Sequence, residues 1–175
     1  RAMADEAHNF GIHVAAHCTD TKGIRNAVEG GVDTVIHGIF REPNGSVVYQ
    51  PDLGAQMARD GVFLNPTLHQ GRERIWQLEK KAKSTVLSEE EQSYVDEFSR
   101  RWEDQLAFWN MIRSDGVTLV AGSDASWMWY ALGGKSFQDE ILAHTDIGMT
   151  PMEALVSGTR DSARSCWVQD QVGTL

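Results

Sequence analysis

The stretch Gly11-Ile-His-Val-Ala-Ala-His17 is a short apolar run that ends on a histidine, and Asp33-Thr-Val-Ile-His37 repeats the pattern with its last histidine twenty positions further on. Both runs are too short for a typical globular helix, and each is followed by a break, which is typical of a buried strand. Apolar residues at Ile24, Ala27 and Val28 predict a helix between them. Strand, helix and strand in this order form a βαβ unit, which builds parallel sheets with functional side chains at the strands' carboxyl ends.

The same unit recurs along the chain. Four glycine-led pairs each follow an amphipathic segment and open an apolar run: Gly11-Ile12, Gly31-Val32, Gly61-Val62 and Gly116-Val117. Glycine after a helix provides the left-handed cap that turns the chain into the next strand. The predicted strands are 12–17, 33–37, 62–67 and 117–123, and the predicted helices are 1–10, 22–30, 51–60, 89–114 and 137–166. A (β/α)8 barrel needs roughly 250 residues, so these units predict an α/β chain that forms half of a barrel.

Both ends of the 175-residue chain look like cuts through a longer protein. Residues 1–10 resemble the tail of a helix already under way, and Val172-Gly-Thr-Leu175 resembles a strand just beginning. We therefore expect residues 1–175 to be one domain, the C-terminal half of the barrel, with 172–175 as the start of a truncated β-sandwich.

The segment 70–114 departs from the rhythm of the other units. Ser88-Glu-Glu-Glu91 matches a capping box that starts a long helix, and a shorter helix is expected over 72–83. One buried face is indicated by apolar residues at spacings of four and three: Tyr94, Phe98, Trp102, Leu106 and Trp109. The segment is either a crossover helix packed on the outside of the barrel or, over 68–88, a lid above its mouth.

Bulk properties exclude some classes of partner. The net charge of −9 argues against binding to nucleic-acid phosphates. No run of about 18 apolar residues exists that would predict a membrane span. The two cysteines, Cys18 and Cys166, do not form a disulfide framework, so a reducing compartment such as the cytoplasm is expected.

Polar side chains stand at the ends of three predicted strands. Alternate residues of a strand share a face, which gives three sets: His13, Ala15 and His17; Asp33, Val35 and His37; Thr118, Val120, Gly122 and Asp124. His17, His37 and Asp124 are therefore expected to meet at the mouth. Imidazole and carboxylate are ligands that zinc prefers, and a catalytic zinc site activates water while a nearby carboxylate moves the proton. The alternative is that these are separate polar residues satisfied by backbone hydrogen bonds.

Other candidates carry two interpretations each. His69 could touch substrate, but an exposed loop histidine is the favoured reading. Trp127 could wall a substrate pocket, or it could bury the loop that carries it. Cys18 is interpreted as a small buried hydrophobe and Asp20 as a helix cap, while His144 is interpreted as a surface or packing residue.

Longer stretches carry a family resemblance. They are Val14-Ala-Ala-His17, 23–38, Val62-Phe-Leu-Asn-Pro-Thr67, Leu119-Val-Ala-Gly-Ser-Asp-Ala125, Thr150-Pro-Met-Glu-Ala-Leu155 and Thr159-Arg-Asp-Ser-Ala163. In order and spacing they resemble the metal-dependent amidohydrolase superfamily, and most closely its imidazolonepropionase-related branch with prolidase-type (Xaa-Pro) and Xaa-Arg dipeptidases. The resemblance covers nearly the whole chain except 70–114.

The resemblance implies a (β/α)8 TIM barrel in which this chain supplies about strands 5–8. His17 and His37 then correspond to the metal-binding histidines of strands 5 and 6, and Asp124 corresponds to the aspartate of strand 8. The family also uses a His-x-His pair on the first strand and often a carboxylated lysine on the fourth, both of which are expected to precede Arg1. One or two divalent ions are implied for the complete protein, and Zn2+ is the expected ion.

We therefore expect a hydrolase that cleaves an amide C–N bond in a dipeptide or N-acyl amino acid. His17 and His37 would be metal ligands, and Asp124 would be a ligand, the acid/base, or both. One alternative is a deaminase or cyclic-amide hydrolase of the same superfamily. The other is a catalytically incomplete half-barrel that only assembles, with its missing half or as a homo-oligomer.

Overall fold

The computed structural model describes residues 1–125 and 134–174. Its strands are β1 (Ala15–Cys18), β2 (Thr34–His37) and β3 (Phe63–Asn65). Its helices are α1 (Ala2–Asn9), α2 (Thr21–Gly30), α3 (Pro51–Asp60), α4 (His69–Ala82), α5 (Glu89–Ser114), α6 (Ser136–Asp146), α7 (Pro151–Val156) and α8 (Ser162–Ser165), with a π-helical segment at Ser157–Asp161 before α8.

The strands form a parallel sheet in the order β1-β2-β3. Ala16 pairs with Val35, and Val35 pairs with Leu64. The predicted fourth strand lies beside β3, where Leu64 and Leu119 make a parallel bridge. The Leu64 N–H donates to the Thr118 carbonyl at 3.0 Å, and the Val120 N–H donates to the Leu64 carbonyl at 2.9 Å. The predicted parallel, sequential arrangement is therefore confirmed for this part of the barrel, with shorter strands than expected.

Local chemistry explains how each strand is followed by a helix. Asp20 accepts a hydrogen bond from the Gly23 N–H at 2.7 Å, which caps α2 as predicted. Gly31 then ends α2 in the left-handed conformation, with φ of 86°. Ile24 and Val28 point from α2 into the core. The helix is thus fixed at both ends and by its buried face.

The hydrophobic core lies between the sheet and the helices that cover one of its faces. Val35, Leu64 and Leu53 are fully buried there, and Cys18 is nearly so. Fully burying one such leucine stabilises the fold by about 1.5–3 kcal/mol. On the other face of β1, His17 is exposed. The sheet therefore has one packed face and one face that carries the exposed strand-end groups.

The amino-terminal end of the sheet is tied to α1 by a polar contact. His8 Nε2 lies 2.9 Å from Asp33 Oδ2, and the same oxygen accepts a hydrogen bond from the Val14 N–H at 2.7 Å. His8 therefore has a structural role.

The long helix α5 has the predicted bounds. Ser88 accepts from the Glu91 N–H, and the Glu91 side chain accepts from the Ser88 N–H, so the capping box is complete. Phe98 and Trp109 are buried on this helix, but Tyr94 is 40% exposed, so its assignment to the buried face is wrong.

Arg72 joins α4 to the two helices that flank it. Its guanidinium carbon lies 5.4, 5.8 and 4.9 Å from the ring centres of Trp76, Phe98 and Trp102, and its Nε donates to Asp146 at 3.0 Å. These contacts tie α4 to both α5 and α6. The lid assigned to this region stays a prediction.

The predicted single helix over 137–166 is wrong. α6 ends at Asp146, and Gly148 adopts a φ of 83° that an L side chain rarely takes. Thr150 then caps a new helix that begins at Pro151, where the missing N–H costs nothing. Residues 172 and 173 form a bend and residue 174 is irregular, so the start of a β-sandwich there stays a prediction.

In the part of the chain that the structure describes, no helix combines the length and the apolar character needed to cross a membrane.

Candidate metal centre

The side chains of His17, His37 and Asp124 come together at the carboxyl ends of neighbouring strands. The rings of His17 and His37 meet edge to face, with centroids 4.6 Å apart and planes at 79°. His37 Nε2 lies 4.0 Å from Asp124 Oδ2. His17 and His37 are 20 positions apart in the sequence, and His37 and Asp124 are 87 positions apart. The strand order therefore brings distant residues together, as expected.

Three residues at this rim, each at or just after the end of a strand, have a left-handed backbone conformation. The φ angles are 66° at His37, 50° at Thr67 and 46° at Asp124. For residues other than glycine, this conformation costs about 1–3 kcal/mol and is concentrated at functional sites. The repetition at equivalent strand ends singles out this rim as the candidate site.

The left-handed turn at His37 corrects one prediction. Val35 is buried in the helix-side core, and His37 pairs in register with the buried Cys18, so simple alternation would direct His37 toward the helices. Its ring instead contacts that of His17. The expectation that Val35 and His37 share a face is therefore wrong, because the positive φ at His37 redirects its side chain.

His37 is held in an orientation suited to a metal ligand. Its Nδ1 is hydrogen-bonded to Thr67 Oγ1 at 2.8 Å, while Nε2 faces Asp124. Burial and the neighbouring His17 lower the pKa of His37, although Asp124 opposes this effect. The neutral imidazole is thereby favoured, which is the form that binds a metal ion.

The donor types at this rim fit a divalent ion such as zinc. Two imidazoles and a carboxylate form a common ligand set for this ion, and a hydrogen bond to the second nitrogen of a ligating histidine is the usual support. Within residues 1–125 and 134–174, no three histidine, cysteine or acidic side chains are already arranged to hold an ion. The fit therefore rests on the chemistry of the donors and on their proximity.

Cys18 does not add a ligand to this set. Its thiol is buried, and burial together with the nearby Asp20 raises its pKa, which favours the protonated form. This agrees with its interpretation as a small buried hydrophobe.

His69 does not lie on an exposed loop. Its side chain is fully buried at the start of α4, and its Nδ1 is 3.6 Å from Glu140 Oε2. The expectation of exposure is therefore wrong, because a buried carboxylate from α6 accepts the first N–H groups of α4 and draws this end of the helix into the interior. Its assignment to substrate binding stays untested. Trp127, the other candidate for substrate contact, lies outside the described residues.

The sequence did not predict several residues that support this rim. Thr67 holds His37, and Gln70 reaches the carbonyl groups of Ser123 and Asp124. No pattern in the sequence indicated these contacts, since both cross between strands or elements. Glu140 and His144, four positions apart on α6, are both fully buried, and their spacing was a signal that could have indicated a pair on one helix face.

Three solved structures illustrate the similarity of the fold. A Xaa-Pro dipeptidase with methionine bound in its active site aligns with a TM-score of 0.67 at 22% identity over 99% of this chain and 38% of its own. A prolidase complexed with N-methylphosphonate-L-proline aligns with a TM-score of 0.66 at 24% identity, over 99% of this chain and 38% of its own. A putative prolidase from Bifidobacterium longum aligns with a TM-score of 0.65 at 21% identity, over 99% of this chain and 40% of its own. At these identities the likeness shows the barrel-type α/β fold alone.

The chain spans about 38% of the length of the first of these structures. No curated protein matches its sequence. The sequence model of the amidohydrolase family matches residues 1–175. The chain therefore belongs to the amidohydrolase family.

Proposed function

We propose that this chain forms strands 5–8 and the associated helices of the barrel of a metal-dependent hydrolase that cleaves an amide C–N bond. The observation that carries the proposal is the meeting of His17, His37 and Asp124 at one rim, with a ring distance of 4.6 Å and a nitrogen–oxygen distance of 4.0 Å. Membership of the amidohydrolase family supports the reaction class.

In this proposal His17 and His37 hold the ion, and Thr67 fixes the orientation of His37. When bound, a divalent ion supplies an acidified water molecule and a charge that polarises the amide carbonyl. Asp124 is 45% exposed at its side chain, so it can face both the ion and substrate. Its carboxylate takes a proton from the attacking water and returns it to the leaving nitrogen.

The proposed substrate class is a dipeptide or an N-acyl amino acid. The structural relatives include a Xaa-Pro dipeptidase and a prolidase, which supports this class. The side chain of Asp20, three positions after His17, accepts a hydrogen bond from the Gly23 N–H and caps α2. Asp20 therefore has a structural role. The resemblance implies that deaminases of this superfamily carry a glutamate soon after the histidine that corresponds to His17, and the presence of the capping Asp20 three residues on argues against that alternative.

A half-barrel that only assembles is the competing proposal. It is supported by the exposure of Ala15 and His17 on one face of β1, which pairs only with β2 among the described residues. Such an uncovered face and edge favour association with the missing half or with a second copy.

Metal content of the complete purified protein tests the proposed function. Wild type, His17→Ala and His37→Ala are compared after dialysis, with His13→Ala as the matched control because it removes a histidine from the same stretch before β1. We expect about one or two zinc ions per chain in wild type and control, as is usual for catalytic zinc sites, and a clear loss in the two variants. Equal metal in all four proteins would overturn the proposal.

Activity then separates the reaction classes. Dipeptides and N-acyl amino acids are offered to the metal-loaded protein, and the release of free amino acid is measured beside the release of ammonia. Amino-acid release supports the proposed hydrolase, and ammonia release supports the deaminase. If the protein is metal-free, is dimeric or aggregated, and shows no turnover, the half-barrel that only assembles is supported.

A further inference from the structure

Glu140 is a fully buried carboxylate that caps a helix other than its own. The Leu68 N–H donates to its Oε1 at 3.0 Å, and the His69 N–H donates to its Oε2 at 2.7 Å. Leu68 has no side-chain group to cap α4, so Glu140 from α6 satisfies the orphan donors at the start of that helix. The beginning of α4 is thereby fixed to α6.

A second set of contacts leads from Glu140 toward the strand that ends in Asp124. His144 Nε2 lies 3.2 Å from Glu140 Oε1, and its Nδ1 lies 3.0 Å from Ser157 Oγ. The Ser157 carbonyl accepts a hydrogen bond from the Ala121 N–H at 3.2 Å. Ala121 precedes Asp124 by three positions, so this path reaches the same segment from the other side.

Gln70 continues the first set of contacts, from the start of α4 to Asp124. It follows His69 directly, and its side-chain amide donates to the carbonyl of Asp124 and, at 3.4 Å, to that of Ser123. Asp124 has a φ of 46°, a strained conformation that persists only where the surroundings impose it. The contacts from Gln70 act on the backbone at this strained position.

The Glu140 carboxylate is suited to this task because it remains ionised. Burial alone would raise the pKa of Glu140, but hydrogen bonds from His144 and His69 outweigh that effect and hold the pKa below its usual range. An ionised carboxylate can accept from several donors at once. Glu140 is thus hydrogen-bonded to the backbone N–H groups of Leu68 and His69 and to the ring of His144, whereas the ring nitrogens of His69 have no hydrogen-bond partner among the described residues.

We infer that Glu140 and Gln70 are positioning residues for Asp124: Glu140 fixes the start of α4, and Gln70 transmits that position to the strand end. The inference rests on the proposed function of Asp124. It assigns to α6 and to the first turn of α4 the task of holding the acid/base group against the ion-binding histidines.

The test uses the complete protein with Gln70→Met, which keeps the length of the side chain and removes its donor. Gln77→Met is the matched control, because Gln77 lies on the same helix and its amide donates to Glu73 at 2.9 Å. Hydrogen exchange of 117–125 is measured without added metal, so this readout does not depend on activity. We expect exchange in that segment to accelerate about tenfold in Gln70→Met, as for the loss of roughly one hydrogen bond, and to stay unchanged in Gln77→Met.

Kinetics of the metal-loaded protein provide the second readout. Gln70→Met is expected to lower kcat on the order of 10- to 100-fold, since a small misplacement of a catalytic group has an effect of this size. KM should stay within about twofold, because substrate binding is not the step that Asp124 positioning controls. Glu140→Gln should also lower kcat. Adding Gln70→Met to Glu140→Gln should lower kcat much less than Gln70→Met does in wild type, because both substitutions act through the same contacts.

Unchanged exchange and unchanged kcat in Gln70→Met, in a wild type that binds metal and turns over, would overturn the inference. Full additivity of the two substitutions would overturn it as well. If wild type binds no metal, the proposed function fails, while hydrogen exchange still decides whether Gln70 holds the Asp124 segment. If Glu140→Gln does not fold, Gln70→Met and its control decide alone.

Discussion

The imidazole ring of His37 lies edge-on to that of His17, although the two side chains would stand on opposite faces of the sheet under simple strand alternation. The left-handed backbone at His37 reverses the direction of its side chain. The hydroxyl of Thr67 then holds its Nδ1 at 2.8 Å. The candidate metal centre thus depends on backbone geometry at the strand ends as much as on the ligands themselves.

The hydrogen bond between Thr67 and His37 should support metal affinity. Thr67→Val keeps the β-branched shape and removes the hydroxyl, so we expect a loss of about 10- to 100-fold in zinc affinity with little change in fold. Competition with a chelator of known affinity measures the change. The same substitution at Thr34, Thr34→Val, is the control, and an unaltered affinity in Thr67→Val would contradict the prediction.

Thr34→Val should itself stabilise the protein. Thr34 is 5% exposed, and among the described residues its hydroxyl has no hydrogen-bond partner. Removing a buried unsatisfied hydroxyl relieves a desolvation penalty, so the free energy of unfolding should rise by about 1 kcal/mol. Urea denaturation provides the measurement, and a less stable variant would show that the hydroxyl is satisfied in solution.

Gly122→Ala should disturb the segment that ends in Asp124. A Cβ atom at Gly122 would overlap the side-chain amide of Asn65 on β3. We expect a loss of about 1–3 kcal/mol in the free energy of unfolding, as for overpacking elsewhere. Thermal unfolding tests this against Gly134→Ala, where a Cβ would meet nothing within 4 Å. Equal stability of the two variants would refute the predicted clash.

The depressed pKa of Glu140 predicts a specific dependence of stability on pH. Burial acts to raise this pKa, but the hydrogen bonds from His144 and His69 lower it in the folded protein. The ionised form therefore contributes stability above the unfolded pKa of about 4.3, and this contribution is lost as pH falls through the lower folded pKa.

The comparison of wild type with Glu140→Gln isolates that contribution. Wild type should be more stable than Glu140→Gln from pH 7 down to about 5, and the difference should shrink below about pH 4, where the carboxylate of the unfolded chain is protonated. Urea denaturation at several pH values measures it. A difference that stays constant across this range would contradict the prediction.

The part of the fold that the sequence predicted follows from local chemistry. The capping box at Ser88 and Glu91 set the start of α5, and Asp20 with Gly31 bounded α2. Short β-branched runs between such helices identified β1 and β2 as parallel neighbours, because a helix between two strands leaves little other choice of topology. The break at 148–151 was not predicted, although Gly148 takes a left-handed φ there and Pro151 begins a new helix.

The candidate site was predictable only as a set of strand-end residues. The carboxyl ends of neighbouring parallel strands share an edge, so His17, His37 and Asp124 could be named from spacing alone. Their support could not, because Thr67, Gln70 and Glu140 act across elements that only packing brings together.

The sequence by itself determined the alternation of strands and helices and the residues at the strand ends, since periodicity, caps and glycine positions are local properties of the chain. Only the tertiary structure decided which way His37 points and where His69 and Glu140 lie. Left-handed backbone at a histidine costs free energy in isolation, and a buried carboxylate is unfavourable without its donors. Both are stable here because residues distant in the sequence supply the contacts that offset those costs.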